Sequence, residues 1–112
     1  MNSKSNSNLD HLSRQFLVHS FLYYQLNESI IGDDKYDQIC VTLKKEVEGQ
    51  NDYLYQELIE PYLGNEGSGF AIPTKAYPPR IVSTALHLLY QDQYKDKVTL
   101  DTFLKSYGYK AT

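Results

Sequence analysis

Apolar residues recur at spacings of three and four in two stretches of the N-terminal half, which is the periodicity of an amphipathic helix. The first stretch follows Asn8 and the second follows Asp33, with turn-forming residues in "NESIIG" between them and Gly49 as a stop. The apolar positions are Leu9, Leu12, Phe16, Leu17, Phe21, Tyr24 and Leu26, then Tyr36, Ile39, Cys40, Leu43 and Val47. The pattern predicts a helical hairpin over residues 8–50.

The C-terminal half repeats the helical pattern in three further segments. A third helix is predicted over residues 52–63, where Pro61 is expected to end or kink it. A fourth begins at Pro79, at a position where the missing N–H of proline costs little, and a fifth covers residues 99–107. These helices are expected to pack on the hairpin.

Two stretches have no helical pattern. Residues 64–78, "GNEGSGFAIPTKAYP", are dense in glycine and proline and predict a loop. Residues 1–7 are too polar to bury apolar area and predict a loose tail. Since no segment alternates as a strand does, the sequence predicts an all-α fold with one small helical domain over residues 8–112, in which residues 51–112 add helices to the hairpin.

Charge and composition exclude several classes of function. The chain has 112 residues and a formal net charge of −3, with no basic block, so nucleic-acid binding through the phosphate backbone is not expected. No apolar run approaches the ~20 residues of a membrane span, and "MNSKSNSN" does not resemble a signal peptide. A single cysteine precludes an internal disulfide, which favours a cytoplasmic location. The unusual feature is eleven tyrosines with no tryptophan.

Most candidate chemical motifs are better explained structurally. "GNEGSG" lacks the lysine and hydroxyl of a P-loop, and the histidines stand in no metal-binding pattern. Cys40 lies on an apolar stripe, as a buried structural thiol does. No nucleophile and base stand at a suitable spacing, so catalysis is not expected. "PTKAYPPR" places Lys75 and Arg80 near Tyr77, where they could meet an anion or a protein partner, although a proline-stiffened connection is the simpler interpretation.

The segment "FLYYQLNESIIGDDKYDQI" is the strongest candidate site. Asp33, Tyr36 and Asp37 are three and four residues apart on a helix, and therefore project from one face. The turn brings that face near Tyr23 and Tyr24, so that rings and carboxylates line one notch. Such a notch suits a flat cation that bears a sugar. The alternative is that Tyr36 belongs to the core and the aspartates only complement the helix dipole.

The same segment, within residues 19–46, resembles the N-terminal Ia subdomain of NAD-dependent bacterial DNA ligases. That family has a tyrosine, then histidine or tyrosine, then a short turn, and after it an aspartate, two variable residues, a tyrosine and an aspartate. Tyr23, Tyr24, Asp33, Tyr36 and Asp37 stand here in that order. The chain departs from the family where Asn27 and Ser29 replace an aspartate and a proline, and where Gly32 replaces serine or proline.

The resemblance implies a ligand and roles for the five residues. In the family these positions hold the nicotinamide mononucleotide (NMN) half of NAD. Tyr23 and Tyr36 are then expected to contact the nicotinamide ring, and Asp33 and Asp37 its polar groups. Tyr24 stands where many ligases have a histidine that contacts phosphate. The chain has no Lys-x-Asp-Gly motif and is far shorter than a nucleotidyltransferase domain, so DNA ligation is not expected.

Three functions remain open at this point. The first is a non-catalytic protein that binds NMN, NAD or a related nucleotide. The second is an inhibitor or decoy that binds a host NAD-using enzyme through its tyrosine-rich surface, because short proteins resembling this subdomain occur in phages and mobile elements. The third is an accessory subunit of a separately encoded adenylyltransferase. The ligand, the protein partner and the oligomeric state are not determined by the sequence.

Overall fold

A computed structural model describes residues 7–50 and 53–109 as a bundle of helices. Within these ranges there is no strand, which confirms the predicted all-α fold. The five α-helices are α1 Ser7–Ser20, α2 Asp33–Glu46, α3 Gln56–Glu66, α4 Pro79–Leu89 and α5 Leu100–Ser106. The segments Phe21–Gln25 and Tyr90–Tyr94 continue α1 and α4 as π-helical turns, and Thr74–Ala76 forms a 3₁₀ turn.

The predicted hairpin of α1 and α2 is present, with a sharp break at Asn27. The π-helical turn ends where the Leu26 N–H bonds the Phe21 carbonyl at 3.3 Å. Asn27 then takes a left-handed conformation with φ 56°, which asparagine tolerates better than most residues. Gly32 is the N-cap of α2 and has an extended backbone. The charges of α2 complement its dipole, with acidic residues in the first turn and Lys44 and Lys45 in the last.

The starts of two predicted helices differ from the structure. Ser7 already belongs to α1, while the remainder of the predicted tail lies outside the described residues. The third helix begins at Gln56; its predicted start at Asp52 is likewise outside the described residues.

Pro61 does not end the third helix. The predicted start of the loop at residue 64 was therefore wrong. Pro61 lies inside α3, which continues to Glu66 and ends where Gly67 adopts φ 72°. Proline in a helix costs about 3 kcal/mol, but its ring disturbs only the preceding turn, which here is the first of α3. Burial of Ile59 and Leu63 on both sides of the proline offsets that cost. The loop is therefore residues 67–78.

The core forms where α1 packs against both α2 and α4. The predicted apolar stripes supply it, although Leu12, Tyr24, Leu26, Val47 and Val82 are only partly buried at its margin. Side chains that are at most 1% exposed include Phe16, Leu17, Phe21, Leu22, Leu43, Ile59, Leu63, Ile72, Ile81, Ala85, Leu86 and Leu89. Cys40 is buried as predicted, and burial raises the pKa of its thiol, which is the setting of a structural cysteine.

Polar contacts from the C-terminal half hold the hairpin turn in place. Glu28 accepts hydrogen bonds from the hydroxyls of Tyr94 and Tyr107, at 3.2 and 3.1 Å from Oε2. Gln93 donates from Nε2 to the Ser29 carbonyl at 3.0 Å. Part of the high tyrosine content is thereby explained, because a half-buried ring with a polar tip can join two elements.

The loop at residues 67–78 folds back onto the end of α1. Ile72 and Tyr77 are 1% and 5% exposed, and the Tyr77 ring packs edge-on against Phe21 with centroids 5.2 Å apart. Gln25 fixes the loop further, because its Nε2 donates to the Ile72 carbonyl at 3.3 Å and its Oε1 accepts from the Thr74 hydroxyl. Within residues 7–50 and 53–109, no helix has the length and apolar character that a membrane span requires.

Candidate functional site

The five predicted site residues lie together where α1 ends and α2 begins. The ring centroids of Tyr23 and Tyr24 are 4.8 Å apart, and those rings lie 5.9 and 6.1 Å from the ring of Tyr36. Asp33 and Asp37 are exposed on the same face of α2. Tyr23, Tyr24, Asp33, Tyr36 and Asp37 are called the tyrosine–aspartate cluster below. Helical spacing and a short turn were enough to predict that these residues meet.

Tyr36 is the buried centre of this cluster. Its side chain is 6% exposed, its hydroxyl shares a 2.7 Å hydrogen bond with Ser20, and the backbone N–H of Gly69 donates to it at 3.1 Å. Burial is the main cause of a pKa for this phenol well above its ordinary value. Tyr36 is therefore a core residue, as one of the two sequence interpretations held, and its ring is covered by protein.

Gly69 allows the 67–78 loop to reach Tyr36. A Cβ atom built at Gly69 would come within 2.6 Å of the Ser20 Cβ and 3.3 Å of the Tyr36 hydroxyl oxygen. Only glycine permits this approach, because real Cβ atoms do not come so near. The sequence predicted an ordinary loop here, and both Ser20 and Gly69 were missed as partners of the cluster. The glycine density of "GNEGSG" was the available signal, but it does not indicate what the loop contacts.

Phe70 also belongs to this surface. Its ring packs edge-on against Tyr24 with centroids 5.5 Å apart, and its side chain is 68% exposed. The surface near Tyr23 thus combines exposed aromatic rings with exposed carboxylates. A phenylalanine side chain as exposed as that of Phe70 contributes little to the core, so it marks a surface that is available to contact another molecule.

Negative charge is concentrated beside the exposed ring of Tyr23. The carboxylate of Asp33 is the main cause of a raised pKa for the Tyr23 phenol, and Asp37 adds to the effect. Tyr23 is 39% exposed, so its ring and the neighbouring carboxylates are accessible together. Such an arrangement attracts a cation, because both the ring face and the carboxylates favour positive charge.

The notch between Tyr23 and Tyr36 is closed. The cavity between these rings and the hairpin turn, bordered also by His19 and Ile30, has a volume of about 10 Å³, close to the space of a single water molecule. A ring inserted between two others needs them about 7 Å apart, whereas these centroids are 5.9 Å apart. A ligand ring therefore does not fit between Tyr23 and Tyr36 in this structure.

Histidine does not add chemistry to this corner. His19 borders the small cavity, and desolvation by burial lowers the pKa of its imidazole, so that the neutral form is favoured. Across the part of the chain that the structure describes, no group of three or more His, Cys, Asp or Glu side chains is arranged to hold a metal ion. The chemistry of the site is therefore that of aromatic faces and carboxylates.

A larger groove lies elsewhere, between α4, α5 and the segment that joins the 3₁₀ turn to α4. Its volume is about 650 Å³. Four residues of "PTKAYPPR" line it, namely Thr74, Lys75, Tyr77 and Pro79, whereas Arg80 does not. The sequence interpretation of this motif as a stiff connection missed the groove, because its walls come from segments that are distant in the chain.

Comparison with protein-family models, with curated proteins and with solved structures found no match for this chain. Functional inference therefore depends on the geometry described above and on the resemblance of the hairpin motif.

Proposed function

We propose that the protein is a non-catalytic binding protein whose tyrosine–aspartate cluster binds the nicotinamide half of NMN or NAD. The observation that supports this proposal is the exposed ring of Tyr23 beside the carboxylates of Asp33 and Asp37. The oxidised nicotinamide ring is flat and positively charged, and a tyrosine face flanked by negative charge attracts such a ring.

The ligand binds on the outer surface of the cluster in this proposal. Because the Tyr23–Tyr36 notch is closed, the nicotinamide ring stacks on the exposed face of Tyr23, with Tyr24 and Phe70 as the neighbouring aromatic surface. The carboxylates accept hydrogen bonds from the ribose hydroxyls or the carboxamide. Tyr36 then acts as a support and not as a ligand contact. A shallow site of this kind covers little of the ligand and gives weak binding.

Calorimetric titration with NMN and with NAD tests the proposal. Tyr23→Ala and Asp37→Asn remove an exposed ring and an exposed charge, and each is expected to weaken binding about three- to tenfold while the fold persists. Asp34→Asn is the matched control, because Asp34 carries the same charge on the same helix but is not among the groups that act on Tyr23. Its affinity should equal that of the unmodified protein.

Two outcomes would contradict nicotinamide binding. One is the absence of heat with the unmodified protein at millimolar ligand. The other is an equal loss of affinity for Asp34→Asn and Asp37→Asn, which would indicate general charge attraction instead of a defined site. Tyr36→Ala is unsuitable for this test, since removing a buried ring destabilises the fold itself.

A second candidate function is protein binding through the same surface, as an inhibitor or decoy of a host NAD-using enzyme. The closed notch and the 68% exposure of Phe70 favour it, because a flat aromatic patch with acidic edges also suits a basic protein surface. Inhibition of a purified NAD-dependent DNA ligase, lost in Phe70→Ala and Tyr23→Ala but kept in Asp34→Asn, would support this candidate. Nicotinamide binding without inhibition would contradict it.

A further inference from the structure

The groove on the C-terminal half has the dimensions and composition of a small-molecule site. Its volume of about 650 Å³ lies within the roughly 300–1,000 Å³ of such sites. The floor is apolar and includes the buried side chains of Tyr77, Leu86 and Leu104, with Leu100 beside them. The groove shares no lining residue with the tyrosine–aspartate cluster, so it is a separate feature of the molecule.

The charges around this groove favour an anion. Among the described residues that line the groove, Lys75 is the one Lys, Arg, Asp or Glu, although the chain as a whole is acidic. Lys75 is exposed at the rim, four residues before Pro79, which also lines the groove and is the first residue of α4. The first turn of α4 contains no acidic residue, so the positive end of its dipole is not offset there. Positive charge is thus concentrated at one end of the groove.

Two further polar residues of the lining, Ser83 and His87, lie on α4. Ser83 is exposed, and its carbonyl accepts a hydrogen bond from Nδ1 of His87 at 2.8 Å. Val82 and Leu86 stand on the same face of α4, since residues three and four apart share a face. The groove is therefore amphipathic, with a cation at one end and apolar side chains along its length.

We propose that this groove binds a small amphipathic carboxylate, in which one carboxylate is joined to an apolar chain or ring. The carboxylate pairs with Lys75 beside the first turn of α4, and the apolar body lies on Leu86, Leu100 and Leu104. The one cation among the described lining residues matches a single carboxylate. The proposal does not depend on nicotinamide binding, because its residues and its ligand chemistry are different.

Titration with decanoate below its micelle-forming concentration tests the site, with decylammonium as the probe of opposite charge. Decanoate is expected to shift the amide resonances of Ser83 and His87 in proton–nitrogen NMR spectra, and to bind at least about fivefold more tightly than decylammonium. Equal binding of the two probes would overturn the anion assignment. No shift at these residues with decanoate would overturn the site.

Two pairs of variants locate the binding. Lys75→Gln is expected to weaken decanoate binding about two- to fivefold, whereas Lys95→Gln, which removes an exposed lysine outside the groove, leaves it unchanged. Ser83→Trp places an indole in the groove and is expected to weaken binding at least about tenfold. Thr84→Trp adds the same ring at the adjacent exposed position, outside the lining, and serves as its control. Equal affinities within both pairs would overturn the proposal.

Discussion

At the scale of single residues, Tyr36 shows how far sequence reasoning reaches. Its spacing from Asp33 and Asp37 predicts a shared helical face, and its place on the apolar stripe predicts burial. The structure has both the shared face and the burial. Neither prediction reveals the hydrogen bond that the Gly69 N–H donates to Tyr36, because Gly69 is 33 residues away in the chain. A contact of that kind depends on the path of a loop, for which the sequence contains no periodic signal.

Tyr36→Phe is predicted to lower the free energy of unfolding by about 1–3 kcal/mol, because the buried Ser20 hydroxyl and the Gly69 N–H lose their shared partner. Tyr77→Phe is the matched control. The Tyr77 hydroxyl is buried and has no hydrogen-bond partner among the described residues, so its removal should be neutral or slightly stabilising. Urea unfolding of both variants measures the difference, and equal losses would refute the assigned role of the Tyr36 hydroxyl.

At the scale of elements, the apolar stripes located all five helices but not all of their ends. Helix existence follows from a repeated pattern over several turns, whereas an end depends on a few residues and on local packing. Local packing of this kind decides the ends of three helices here: α3 continues past Pro61, and α1 and α4 are each followed by a π-helical turn. The loop at residues 67–78 was recognised from its glycines and prolines, which mark where a helix is interrupted but not where the chain goes next.

Gly69→Ala is predicted to detach this loop from α1 and α2, since the added methyl group would overlap Ser20. The expected cost is about 1–3 kcal/mol, within the range for overpacking a close contact. Gly32→Ser is the control, because no atom lies within 4 Å of a Cβ at Gly32 and serine is a good N-cap for α2. Thermal unfolding compares them. A Gly69→Ala variant as stable as Gly32→Ser would show that the close approach does not hold the loop.

At the scale of the whole molecule, the predicted all-α fold and hairpin are present, and the hairpin brings the candidate site together. The groove could not be predicted, because its lining comes from α4, α5 and the 3₁₀ turn with the residues that follow it. Tyr77 connects the two regions, since it lines the groove and packs against Phe21, two residues before Tyr23. Such long-range juxtapositions arise only when the elements are assembled.

Proton–nitrogen NMR with NMN tests the central claim most directly, because it reports where a weak ligand lies. The account predicts shifts in the amides of Tyr23, Asp33, Asp37 and Phe70 that saturate with ligand, while the amide of Ser83 in the groove stays unchanged. Asp37→Asn should weaken these shifts, and Asp34→Asn should not. The absence of shifts at millimolar NMN, or shifts confined to the groove, would contradict a nicotinamide site at the tyrosine–aspartate cluster.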